Sequence, residues 1–427
     1  MTDPTPRTPE PTRAWVFHPD IPSGHARRAP AFALEEAVAL AAALPGLDVL
    51  GADIVRLTKP RPATLFGPGK VDELGAQLAA AEIELVLVDG PLTPVQQRNL
   101  ERDWKVKILD RTGLILEIFS DRARTREGVL QVEMAALSYQ RTRLVRAWTH
   151  LERQRGGLGF VGGPGETQIE ADRRAIDEQL TRLRRQLDKV VRTRELHRAA
   201  RAKVPFPIVA LVGYTNAGKS TLFNRVTGAA VMAKDMLFAT LDPTMRAIDL
   251  PDGPRIILSD TVGFISALPT ELVAAFRATL EEVLSADLIV HVRDIADPES
   301  DAQAEDVREI VESLGVDKAI PQIEVWNKLD RLTADRAAAL EAQAARTPDV
   351  HLVSALTGAG IAPLLADIAD RLSDPVQDET LRLAFSDGRR RAWLFDQGVV
   401  QDERQDEDGF TLNLRWTDRQ KARFGAL

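Results

Sequence analysis

The chain has 427 residues and 44% hydrophobic content, enough for roughly two to four domains with cores of their own. It contains no cysteine, which excludes disulfides and thiolate chemistry, and its net charge of −8 argues against a protein that coats nucleic acid indiscriminately while leaving room for local basic patches. No stretch of about 18 apolar residues exists and the N-terminal MTDPTPRTPEPTR lacks the apolar centre of a signal peptide, so a cytoplasmic chain without membrane insertion is expected.

Residues 1–13 are Thr, Pro and charged, and residues 1–30 are expected to form a disordered tail. From residue 31 the pattern changes. An Ala/Leu-rich helix (Ala31 to Ala43), the strand DVLGADIVRL, the helix GKVDELGAQLAAAE, the buried strand ELVLVDG, the helix TPVQQRNLER and the strand KVKILD alternate over short turns. This predicts a small parallel α/β domain over 31–120. FGPGK (Phe66 to Lys70) lacks Ser or Thr after the lysine and reads as a helix-capping turn rather than a second nucleotide site.

Residues 121–203 carry two long helical patterns. In the first, Leu130, Leu137, Leu144 and Leu151 recur every seven residues. In the second, Ile169, Ile176, Leu180, Leu183, Leu187 and Val190 recur at steps of three, four and seven. The spacing predicts an antiparallel hairpin whose tip, 155–167, is RGGLGFVGGPGET, with six glycines in thirteen residues. A cluster of glycine that costs so much entropy to fix is either a linker or a loop built for close approach; crowning a hairpin, and carrying Leu158 and Phe160, it reads as a contact loop. Arg141, Arg143, Arg146, Arg153 and Arg155 precede it and Arg173, Arg174, Arg182, Arg184 and Arg185 follow it, interleaved with acidic residues. They read either as a solvated surface or as guanidinium forks for phosphate.

The chemistry lies in residues 204–373. The strand PIVALV runs into GYTNAGKS and then the helix TLFNRVTG, the G-x-x-x-x-G-K-[ST] pattern in strand–loop–helix context. Gly213, Tyr214, Thr215, Asn216, Ala217 and Gly218 would turn their amides toward phosphate; Lys219 would reach the β- and γ-phosphates; Ser220, followed by Thr221, would ligate Mg²⁺. LSDTVG supplies Asp260, Thr261, Val262 and Gly263, with Asp260 holding Mg²⁺ through water and the Gly263 amide sensing the γ-phosphate. VWNKLD ends in Asn327, Lys328, Leu329 and Asp330, whose carboxylate can accept from both N1–H and the exocyclic amine of guanine. VSALTG adds Ser354, Ala355 and Leu356, with a backbone amide for the guanine oxygen. FATLDPT, between the loop and Asp260, offers Thr240 and Thr244 to complete the Mg²⁺ shell. The spacing predicts a P-loop GTPase domain with a mostly parallel sheet and helices on both faces, and GTP/GDP and Mg²⁺ as its ligands.

GYTNAGKST, FATLDPT, DTVGFI and NKLD, with DRTGLILEIFSDRARTREG, LVRAWTHLERQRGG and GPGETQIEADRR outside that domain, resemble the HflX family of translation-factor-related GTPases. The likeness runs from about residue 31 to the C-terminus. It departs from the commonest pattern at Arg155, within the glycine run, and at Arg293 of HVRDIAD. The resemblance implies that Thr240 is the switch-I threonine, with Thr244 the fallback, and that Phe238, Ala239, Leu241 and Asp242 sit beside it at the nucleotide. Lys219, Thr240, Asp260 and Gly263 then carry catalysis, with Ser220 and Thr240 on the metal. It further implies GTP-dependent binding to the large (50S) ribosomal subunit, with the arm near the peptidyl-transferase region of 23S rRNA, and splitting of stalled ribosomes under stress by a monomer.

Phe264 stands directly after Gly263, where Ras-like switches have the water-orienting glutamine, so slow intrinsic hydrolysis with stimulation by a partner is expected. Asn216 either shapes the loop or helps hold K⁺ between the phosphates. Residues 374–427 predict a small α+β domain. A nucleotide-switched regulator of a protein partner, and more remotely an RNA-modifying or remodelling enzyme, are the competing functions; the sequence shows no further catalytic constellation for the last.

Overall fold

A computed structural model describes residues 11–22, 28–154, 164–201, 206–229, 237–238, 240–241, 243–251, 253–266, 281–317, 319–373, 376–406 and 409–425. They divide into two compact units. Asp249–Arg255 with Ala362–Leu427 form one, and the rest of the chain forms the other.

The first unit opens with a four-stranded sheet of order β2-β1-β3-β4, from β1 (Thr12–Asp20), β2 (Leu47–Arg56), β3 (Leu85–Val88) and β4 (Lys107–Asp110), every pairing parallel. Strand β1 corrects the expectation of a disordered tail over residues 1–30. Its Ala14, Val16 and Phe17 are fully buried and it pairs with both β2 and β3, so it is an interior strand of the sheet. Helices α1 (Pro30–Ala42), α2 (Pro68–Ala80) and α3 (Pro94–Trp104) connect the strands. Pro68 stands in the first turn of α2, behind Gly67 at its N-cap, so FGPGK is a helix start; α3 begins with a capping box in which Thr93 and Gln96 satisfy each other's amides. One sheet face closes over an aromatic cluster, with the Phe17 and Trp104 ring centroids 5.9 Å apart and Phe66 and Trp104 6.0 Å apart.

Helix α4 (Arg111–Arg122) follows β4 directly. Asp110 caps it by accepting the Gly113 amide proton at 2.8 Å. Leu114, Ile115, Leu116, Ile118 and Phe119 are all buried, so α4 sinks a broad apolar face into the core and leaves Glu117, Ser120 and Asp121 exposed. That core is continuous from β1 and α1 through α4 to Ala210, Val212, Phe238 and Phe264 of the nucleotide-binding part.

Helices α5 (Arg126–Gln154) and α6 (Pro164–Arg201) pack against each other. Arg141 pairs with Asp177 at 2.9 Å and Gln179 donates to Glu133 at 3.3 Å, so the numbering falls on one helix as it rises on the other: the hairpin is antiparallel. Leu130, Leu180 and Leu183 are buried in its seam and Leu137, Ile176 and Leu187 are half-buried. Of the flanking arginines, Arg173, Arg174, Arg182, Arg184 and Arg185 are exposed. Arg143 faces inward instead, donating to Asp110 at 3.0 Å and to Tyr139 and Gln97. Residues 155–163, most of the glycine-rich tip, lie outside the described residues.

A six-stranded sheet follows, of order β10-β9-β8-β5-β7-β6. Its strands are β5 (Ile208–Gly213), β6 (Thr244–Asp249), β7 (Arg255–Asp260), β8 (Leu288–Asp294), β9 (Gln322–Asn327) and β10 (Val350–Leu352). The pairings of β5 with β7 and β8, of β8 with β9, and of β9 with β10 are parallel. Helices α7 (Lys219–Thr227), α8 (Glu281–Leu284), α9 (Ser300–Ser313) and α10 (Ala334–Ala344) accompany it. Arg293, an unusual residue for this interior strand, is buried, pairs with Glu324 at 3.0 Å and with Asp301, and lies over the Trp326 ring at 5.8 Å.

The second unit holds α11 (Ile361–Leu372, joined to it from Ala362) and an antiparallel sheet of order β11-β13-β12, from β11 (Val376–Leu383), β12 (Val400–Gln405) and β13 (Phe410–Thr417). Helices α12 (Gly388–Asp396) and α13 (Asp418–Gly425) complete it around Leu394, Leu412, Leu414, Trp416 and Phe424. Helix α11 thus belongs with the C-terminal elements rather than with residues 204–373: a Cβ on Gly253 would meet that of Ala369 at 2.6 Å, so the Asp249–Arg255 turn lies directly on it.

Candidate active site

Strand β5 delivers Gly213 into the loop Tyr214–Gly218 and α7 begins at Lys219, so the loop amides gather at a helix N-terminus, where the macrodipole favours anions. Gly218 adopts φ +94°, and a Cβ there would run into the Asn327 side-chain amide. Asn327 staples two loops: its Nδ2 donates to Ala217 O at 2.8 Å and its Oδ1 accepts the Ala355 amide proton at 2.9 Å. Lys219 is buried, and its Nζ donates to Gly213 O at 3.1 Å and Tyr214 O at 2.8 Å; burial pushes its pKa down to about 8.

Strand β7 ends at Asp260, which is fully buried, and burial raises its carboxyl above the usual range against the pull of hydrogen bonds and Lys219. Its Oδ2 accepts from Ser220 Oγ at 2.6 Å and from Thr240 Oγ1 at 3.1 Å, and those hydroxyls are 2.8 Å from each other. Its Oδ1 is buried without a hydrogen-bond partner among the described residues. Two hydroxyls and a carboxylate make a hard oxygen donor set. Thr244 opens β6 instead, outside this cluster of hydroxyls.

After Asp260 the chain returns to the phosphate loop. Thr215 N donates to Phe264 O at 2.7 Å and Phe264 N to Gly213 O at 3.2 Å. A Cβ on Gly263 would stand 2.8 Å from Thr215 Cα and 3.0 Å from Lys219 Nζ, so only glycine allows this approach. The Phe264 side chain is buried in the core, and Thr261 Oγ1 donates to Leu211 O at 2.6 Å. Phe238 and Leu241 also turn their side chains into the core, where Phe238 stands edge-on to Phe119 at 4.6 Å; any contact they make with nucleotide is through backbone. Ala239 and Asp242 lie outside the described residues. Asn216 is exposed, at φ +59°.

At the base-reading end, Asp330 lies on a 3₁₀ turn (Leu329–Arg331) and accepts from Ser354 Oγ, while Lys328 pairs with Asp294 at 2.7 Å. Ser354 and Ala355 are buried and Leu356 is exposed. The sequence reading missed Arg225 of α7, whose guanidinium donates to Ala355 O at 3.2 Å and to Leu356 O, holding this loop from the phosphate side. It also missed Arg28, Glu36 and Arg111, which touch Tyr214 and Ser266; an arginine directly ahead of the apolar run Leu114–Leu116 is the signal that could have found one of them.

Four family models match along the chain: "GTP-binding GTPase N-terminal" over residues 32–120, "GTP-binding GTPase Middle Region" over 122–201, "50S ribosome-binding GTPase" over 208–328 and "HflX C-terminal domain" over 339–425. Among similar curated proteins, GTPase HflX of Magnetococcus marinus is 53% identical over 367 residues, 86% of this chain and 84% of the relative. GTPase HflX of Escherichia coli is 47% identical over 350 residues, 82% of each chain. That of Caldanaerobacter subterraneus is 40% identical over 378 residues, 88% of this chain and 86% of the relative. With its nucleotide loops assembled as above, the chain belongs to the HflX family and is a P-loop GTPase.

Proposed function

We propose that this GTPase binds the large ribosomal subunit in its GTP-loaded state and splits stalled ribosomes under stress, working as a monomer in the cytoplasm. The observation that carries the reading is the antiparallel α5–α6 arm: it buries Leu130, Leu180 and Leu183 and leaves Arg173, Arg174, Arg182, Arg184 and Arg185 exposed on α6, guanidinium forks suited to RNA phosphate. The family model over residues 208–328 is described as a 50S ribosome-binding GTPase, which supports the same partner. Among the described residues no helix is long and apolar enough to cross a membrane.

GTP would lie along the loop with its β- and γ-phosphates at Lys219 and its guanine between Asp330 and the Ala355 amide. Mg²⁺ fits the hydroxyl oxygens of Ser220 and Thr240, with Asp260 behind them, and when bound would neutralise charge on the β- and γ-oxygens. Water attacks the γ-phosphorus and the bond to the β-phosphate oxygen breaks, leaving GDP and phosphate. Lys219 and the Gly263 amide stabilise the charge that develops. Phe264, turned into the core, offers no group to orient the water, so turnover waits on a partner. Asn216, beside the phosphates, is the residue through which K⁺ would act.

The test replaces residues 157–165 by a short Ser-containing turn. GTP affinity should be retained and GTP-dependent splitting of 70S ribosomes, followed by light scattering, should vanish. Unchanged splitting would mean that the tip is only a connection.

A further inference from the structure

A polar cluster joins α1 and α4 to the nucleotide loops. Arg111, the first residue of α4, is buried, and its Nη2 donates to both the carbonyl oxygen and the hydroxyl of Ser266 at 3.0 Å and to Glu36 of α1; its Nη1 donates to Asp89 Oδ1 at 2.6 Å. Ser266 stands three residues after Gly263. Its amide donates to the Tyr214 hydroxyl at 2.7 Å and its own hydroxyl to Glu36 Oε1 at 2.8 Å. The Tyr214 hydroxyl, from the phosphate loop, donates in turn to Glu36. Arg28 adds 2.7 and 2.8 Å bonds to Glu36 and Tyr214.

Two turns farther along α4, Phe119 meets Phe238 of the other switch edge-to-face. One rigid helix therefore grips both segments that must sense the γ-phosphate. Its cap residue, Asp110, is in turn held by the root of the arm, accepting from Tyr139 at 2.6 Å and Arg143 at 3.0 Å.

We infer that α4 is a positioning element for GTP hydrolysis, with Arg111, acting through Ser266, keeping Gly263 against Lys219. Its partners Ser266, Glu36 and Asp89 are none of the residues assigned to nucleotide or metal; Arg111 fixes where the backbone after Gly263 runs. Glu36, Tyr214 and Ser266 complete the same unit, and Asp110 links that unit to α5.

Arg111→Gln should therefore lower the single-turnover rate of phosphate release at least fivefold while the affinity for a fluorescent GDP analogue stays within threefold, since GDP has no γ-phosphate to be sensed. Glu36→Gln should act in the same direction, and the double variant should lose less than the product of the two single losses, because both belong to one unit. Should Arg111→Gln fail to fold, Ser266→Ala removes the hydroxyl that Arg111 and Glu36 hold and must give a split in the same direction. Release rates within twofold of the parent, or a loss that appears equally in GDP affinity, would overturn the inference.

Discussion

Ser220 Oγ and Thr240 Oγ1 lie 2.8 Å apart, and both donate to one oxygen of the buried Asp260. The first helix of the nucleotide fold and a loop twenty residues on are thereby brought to the end of β7, and Thr244, four residues later, is not. Thr240→Ala should reduce the hydrolysis rate on the order of 10²-fold, comparable to losing one group that stabilises transition-state charge, and change GDP affinity little. Thr244→Ala should leave both within a factor of two or so. Single-turnover phosphate release with the two variants decides between the threonines.

Asp330→Asn removes the carboxylate aimed at guanine, and GTP affinity should drop roughly 10²–10⁴-fold as two charge-assisted bonds are lost. Xanthosine triphosphate should bind the variant better than the parent, its 2-oxo group meeting the new amide. Competition titrations with both nucleotides read this directly; parental GTP affinity in the variant would remove Asp330 from base recognition.

His291 of β8 is buried, and burial holds its imidazole neutral, well below the ordinary histidine value. The unfolded chain takes up that proton near pH ~6.5, so folding stability should fall as pH drops below that value, by up to about 2 kcal/mol at pH 5. Glu324 beside it adds to the loss at lower pH: burial would raise its carboxyl, but the Trp326 indole bond and Arg293 hold it below the usual range, so its stabilising charge is lost only in stronger acid. Urea midpoints at pH 7 and pH 5 should differ less in His291→Gln than in the parent.

Hydrolysis by the isolated protein should be slow, rise at least tenfold with 50S subunits, and be faster in K⁺ than in Na⁺ unless Asn216 is changed to Ala. Steady-state phosphate release in the four combinations of cation and subunit separates the partner's effect from the ion's. Fast turnover indifferent to both would leave no role for a partner.

What the sequence disclosed and what it hid divide along one physical line. Phosphate and base recognition need contiguous residues on one loop, so Gly213 to Ser220, Asp260 to Gly263 and Asn327 to Asp330 are legible as local strings, and the structure assembles them at the C-terminal ends of the parallel strands β5, β7 and β9. Strand β1 was hidden because TRAWVFHPD follows a Thr/Pro-rich run, and its partners β2 and β3 arrive only decades of residues later. Helix α4 is buried over so broad an arc, with only Glu117, Ser120 and Asp121 exposed, that its period does not single out which neighbours it touches. Arg111 and Ser266 are 155 residues apart, and no local pattern could have joined them. Arg143 read as one more charge on an arm; only the fold shows that it points to Asp110.

The most direct test of the ribosomal role is co-sedimentation of the purified protein with 50S subunits, with a non-hydrolysable GTP analogue and with GDP, across a range of salt. Stoichiometric pelleting is expected with the analogue and little with GDP, and, at any given salt, weaker pelleting when Arg173, Arg174, Arg182 and Arg184 are reversed to Glu, since lost phosphate neutralisation lowers affinity. Equal pelleting with both nucleotides, or none with either, would contradict it.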